Sequence, residues 1–137
     1  MPKMALLNKE TGELTFSDGL RLCAGLAMDE VADRLDGRQN AVIRLDSHAV
    51  AGGRLIPVCT VMGGAVQSVA LSISSVGSRP MRKTERQRAF LFSRLDLHDP
   101  CPDTMESVCI DCPFGEMYLT TDPVTGRCEA RILYAAH

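Results

Sequence analysis

Cys109-Ile110-Asp111-Cys112 places two thiols three residues apart, a spacing at which two thiolates can share a tetrahedral zinc or close a redox disulfide. A four-ligand site would draw in Cys101 and Cys128. The pattern Cys101-x7-Cys109-x2-Cys112-x15-Cys128 then holds one knuckle where a structural zinc site ordinarily has two. Redox chemistry fits less well, because a thioredoxin-like pair opens a helix whose dipole lowers the thiol pKa, whereas Pro113-Phe114-Gly115 follows here. The plainer expectation is six free thiols, at 23, 59, 101, 109, 112 and 128, in a reducing compartment and with no cofactor. The opening Met1-Pro2-Lys3-Met4-Ala5-Leu6-Leu7 offers too short an apolar run for a signal-peptide core, so a cytoplasmic chain is expected.

The second chemical feature is charge. Arg79, Arg82, Lys83, Arg86 and Arg88 are opposed locally only by Glu85 and could meet phosphates at a helix N-terminus. Against a nucleic-acid partner stand a net charge of -2, a pI near 5.9, 4% aromatic residues and no Trp. We therefore read Arg82, Lys83, Arg86 and Arg88 as a partner-binding patch suited to an acidic protein, where charge governs association rate and specificity. His48, His98 and His137 sit in no nucleophile motif, and Gly52-Gly53 and Gly63-Gly64 match neither a P-loop nor a dinucleotide fingerprint. The expectation is a protein that is not an enzyme.

These residues must be held by a scaffold of 137 residues, enough for one domain that buries its own core without metal or disulfides. No apolar run approaches the ~18 residues of a membrane span. Leu14-Thr15-Phe16 and Leu20-Arg21-Leu22, separated by Ser17-Asp18-Gly19, predict an N-terminal hairpin. Met28 to Leu35 predicts a short helix with Asp29 and Glu30 in its first turn and Gly37 past its end. Strands are expected at 41–45, at 54–62 with Pro57 marking an edge or bulge, and at 66–74, where Val69, Leu71 and Ile73 alternate with small polar residues. Thr84 and Gln87 form a capping-box pattern for a helix running to about His98, ended by Asp99-Pro100. Residues 100–113 read as an irregular loop, and 116–120 and 128–134 as a closing hairpin around Asp122-Pro123-Val124-Thr125-Gly126.

The order ββαβββαββ predicts an α+β domain: one antiparallel sheet of six to seven strands with two helices on one face. The last strand is expected to be able to pair across a two-fold axis, which would make a homo-oligomer.

Two stretches, Thr11-Gly12-Glu13 through Leu20-Arg21-Leu22 and Phe114-Gly115-Glu116 through Asp122-Pro123-Val124-Thr125-Gly126 to Tyr134, resemble a group of small uncharacterised bacterial proteins. In size and plan that group is similar to the immunity proteins that neutralise bacterial toxins. The resemblance implies a non-enzymatic, protein-binding role and supplies no catalytic residue. The alternative is a zinc- or thiol-dependent protein built on Cys101, Cys109, Cys112 and Cys128.

Overall fold

Val69, Leu71 and Ile73 alternate with Ser68, Ala70 and Ser72, and this period-two pattern builds a strand in the middle of the sheet, one face apolar and one face small and polar. The computed structural model describes residues 6–27, 29–76, 84–98, 107–122 and 124–135. Its elements are β1 (Leu14–Thr15), β2 (Arg21–Leu22), β3 (Gly25–Leu26), α1 (Asp29–Leu35), β4 (Ala41–Arg44), β5 (His48–Val50), β6 (Gly53–Met62), β7 (Ala65–Val76), α2 (Thr84–Arg94), β8 (Val108–Cys112), β9 (Gly115–Thr121) and β10 (Cys128–Tyr134).

The protein is α+β, with two helices and an antiparallel main sheet in the order β4-β6-β7-β10-β9-β8. β5 adds to β6 and β3 adds to β7, which makes eight strands where six to seven are expected from the sequence. The N-terminal hairpin forms as expected but stands apart as a two-stranded sheet of β1 and β2. The extra strands are short or hidden by composition: β3 has two residues and β5 three, while β8 lies in the stretch 100–113 expected to be loop. Prolines and cysteines hide the alternation of Val108, Ile110 and Cys112 with Cys109 and Asp111, which only pairing with β9 reveals.

One row across the sheet, Ile43–Cys59–Val69–Ile132–Met117–Ile110, is apolar from edge to edge. Five of its members are buried and Ile110 half-buried, and each fully buried aliphatic side chain contributes roughly 1.5–3 kcal/mol. These residues join Phe16, Val31, Leu91 and Leu95 in one hydrophobic cluster, which ties the hairpin and both helices to the sheet. Gly63 and Gly64, both at positive φ (61° and 77°), close the two-residue turn between β6 and β7, the backbone that a tight right-twisted hairpin requires.

Pro57 lies inside β6, which is paired on both sides, and no bulge falls there. Its carbonyl accepts from the Leu45 N–H at 3.0 Å, so its missing N–H points to the same side, the gap between β4 and β5. β10 is likewise interior, between β7 and β9, so it has no free edge for a partner strand.

α2 ends at Arg94, before the expected His98, because Asp96 takes a positive φ of 54° and the Leu97 N–H returns to the Phe92 carbonyl at 2.9 Å. Gln87 reaches from α2 to the sheet: its Oε1 accepts from the backbone N–H of Cys128 at 3.0 Å, capping the first residue of β10.

Candidate functional site

The cysteine pattern comes apart on the sheet. Cys109 and Cys112 are three residues apart in one strand, so their side chains leave on opposite faces. Cys109 is exposed opposite Tyr118, while Cys112 is half-buried beside Gly115 in the row that ends on Tyr134. Cys128 sits six residues back along β10, roughly 20 Å from that row at ~3.4 Å per residue. Burial pushes its thiol up despite a 3.6 Å contact with the Thr121 hydroxyl, and burial also pushes Cys112 up. Cys59, buried under the sheet, is raised to about 12 by burial. Cys101 lies outside the described residues. Among the described residues no three His, Cys, Asp or Glu side chains converge as metal ligands.

The basic segment is divided too. Arg82 and Lys83 lie outside the described residues. Arg86 is exposed, but Arg88 is 5% exposed with its guanidinium 5.7 Å from the centre of the Phe92 ring, so it is a packing residue and not part of an exposed patch. Arg94 donates to the Ala51 carbonyl and lies over Phe90, fastening the end of α2 to the β5–β6 turn. His98 is exposed, and His137 is outside the described residues.

His48 is the histidine that acquires partners. Its Nδ1 lies 2.9 Å from Asp18 Oδ2 and its Nε2 3.1 Å from Glu30 Oε2, so β5 is clamped between the β1–β2 turn and α1. Glu30 also meets Arg34 Nη2 at 3.3 Å, and Arg34 meets Asp46 at 3.2 Å. The arrangement ties β5 to the β1–β2 turn and to α1 through one imidazole. Glu30, which helix-end electrostatics alone would explain, thus has a tertiary role that no spacing in the sequence signals.

Burial alone would raise the Asp18 carboxyl, but donation from the Ala49 N–H (3.1 Å), from His48 and from the Leu20 N–H (3.4 Å) prevails and holds it below the usual carboxylate value. A depressed folded pKa stabilises fully above the unfolded-state value and is lost as pH falls through the folded one. Urea midpoints compared from about pH 6 down to about pH 3 should therefore fall more steeply for the wild type than for Asp18→Asn. Parallel profiles would show that the clamp adds nothing.

Gly12, Phe114 and Tyr134, from distant parts of the chain, meet in one structural joint. The Tyr134 hydroxyl donates to the Gly12 carbonyl at 2.7 Å, and the Phe114 and Tyr134 rings are 6.0 Å apart. Tyr134 is buried and its phenol is pushed up by that burial. This joint locks the Thr11-Gly12 turn onto the end of β10.

What remains open is the other face of the sheet. Register places two rows on it, Val42–Thr60–Ser68–Leu133–Glu116–Asp111 and Arg44–Val58–Ala70–Arg131–Tyr118–Cys109. All of these side chains are half-buried or exposed. Four large apolar side chains are exposed among the described residues: Leu26, Val42, Met62 and Val124. Val42 and Met62 are neighbours at one corner of this face, Val42 pairing with Thr60 beside Met62, and Leu26 lies two strands from Met62, across Ala65, at the same end of the sheet. Leu26 is 79%, Val42 68% and Met62 58% exposed. The sequence did not show this grouping, because it is assembled from β3, β4 and β6. At the far side, the Tyr118 hydroxyl donates to the Glu116 carboxylate, which pushes the phenol up.

The fold defines a class: an α+β protein with two helices and a mostly antiparallel eight-stranded sheet. No protein-family model, no curated protein and no solved structure matches the chain. No helix among the described residues is long and apolar enough to cross a membrane.

Proposed function

We propose that this protein is not an enzyme and works by binding protein through the outer face of its sheet, in an immunity-like or regulatory role in the cytoplasm. In this reading both helices cover the inner face and leave the outer one for association. The observation that carries it is the corner of Val42 and Met62, with Leu26 at the same end of the sheet. Large apolar side chains scattered singly need no explanation, but a cluster on one flat face is the ordinary mark of a contact surface. Arg44, two residues from Val42 on the same face, adds the positive charge that suits an acidic rim on the partner. Of the basic patch expected at the start of α2, Arg86 is exposed and remains part of this reading beside the sheet face.

The test is site-specific photocrosslinking in cell extract, with a photoreactive residue placed at Met62 or, separately, at Val124, which is 90% exposed but stands alone on a turn. Discrete protein adducts at position 62 and none at 124 are expected. Equal labelling at the two positions, or none at either, would remove the face as a contact surface.

A further inference from the structure

The outer face carries opposite charge on its two halves. β4, β6 and β7 contain no Asp or Glu, and their outward charged residues are Arg44 and Arg54. Arg54 donates to the hydroxyl and carbonyl of Ser47, and so meets no carboxylate there. β8, β9 and β10 present Asp111, Glu116 and Glu129 against a single Arg131, which is paired with Glu129 at 3.4 Å. Arg44 and Asp111 stand on the two opposite edge strands, and neither side chain has an ion-pair partner among the described residues. β7, the inner strand of the basic half, has outward residues Ser68, Ala70 and Ser72 that are small enough for a second surface to approach closely.

We propose that the outer face stacks on the outer face of a second copy of this chain, the basic half of each copy lying over the acidic half of the other. This rests on the reading of that face as the contact surface and names its occupant. The six-strand order has its midpoint between β7 and β10. A two-fold axis along the strands, between two sheets ~10 Å apart, lays β4 over β8 of the second copy, β6 over its β9 and β7 over its β10. Row by row, Arg44 comes over Cys109 and next to Asp111, Val58 over Tyr118, and Ser68 over Leu133. Such an interface is isologous: every contact occurs twice. The face spans roughly 24 Å from β4 to β8 at ~4.8 Å per strand. Stacking it buries roughly 1,000 Å² in total, the lower bound for a specific interface, so dissociation in the micromolar range is expected.

The test is sedimentation velocity over a concentration series for the full chain, for Arg44→Glu and for Asp111→Arg, alone and mixed. Both residues are exposed and their substitution leaves the core untouched, which melting temperatures would verify. The wild type should dimerise, more weakly at high salt because exposed charges are screened. Each variant alone should dissociate at least about tenfold more readily, since both symmetric contacts become like-charged. The equimolar mixture should recover wild-type affinity as a heterodimer. In it the carboxylate introduced into one chain faces the guanidinium introduced into the other, and the native Asp111 of the first faces the native Arg44 of the second. A wild type that stays monomeric, or a dimer indifferent to both substitutions, overturns the proposal. If the chain is monomeric yet a photoreactive residue at Met62 captures a different protein, the second-copy proposal falls and the outer-face reading stands. A monomer with no capture overturns both.

Discussion

Gly115→Ala is expected to destabilise the protein by more than about 4 kcal/mol, enough to abolish folding in a domain of ordinary marginal stability. A Cβ at this position would lie 2.1 Å from the Leu133 carbonyl oxygen and 2.8 Å from the Ala135 nitrogen. Both are backbone atoms of the paired strand end and cannot rotate away. The φ of 146° adds to the cost, because L side chains rarely adopt it. The damage reaches beyond the turn, since Gly115 pairs with Tyr134 and the neighbouring Ala135 N–H donates to the Phe114 carbonyl at 2.8 Å. Loss of soluble yield, or a urea midpoint displaced far below wild type, is the expected reading. An unchanged midpoint would mean that β9 and β10 do not approach as described.

The second large effect is expected at Gly12→Ala, about 2–3 kcal/mol. About 1–2 kcal/mol comes from holding a side chain at the positive φ of 78°. The rest comes from the aromatic joint: the new methyl would lie 2.6 Å from Tyr134 Cε1 and 2.7 Å from Phe114 Cδ1, and both rings are buried and cannot give way freely. Moving the Tyr134 ring also breaks its hydrogen bond to the Gly12 carbonyl, which contributes about 1 kcal/mol. In a Tyr134→Phe background the cost of Gly12→Ala should therefore be smaller, and a double-mutant cycle measures the difference. Strict additivity would show that turn and ring do not act as one unit. At both positions the close approach of neighbouring atoms leaves room for glycine alone.

Much of the fold was legible because it is written locally. The β1–β2 hairpin, the long strands β6 and β7, the short helix α1 and the closing β9–β10 hairpin follow from side-chain period and turn residues within a few positions of one another. β8 was not legible, because five residues rich in cysteine carry no strong strand propensity and become a strand only by pairing with β9. The end of α2 was misplaced for a related reason: Asp96 terminates it through a left-handed backbone, which an aspartate permits but does not by itself announce.

Of the candidate sites, the sequence determined which side chains exist and which stand within one turn or strand of each other. Tertiary structure alone decided which of them meet. Cys109 and Cys112 are neighbours in sequence, yet the two-residue period of a strand sends them to opposite faces. Arg88 sits in a basic run, yet the packing of α2 buries it. Asp18, Glu30 and His48, far apart in the chain, share one imidazole, and Arg44 and Asp111 share one sheet face from opposite edges. Contacts of this kind depend on strand order and register, which are set by burying a common apolar face, and no local pattern of residue types encodes them.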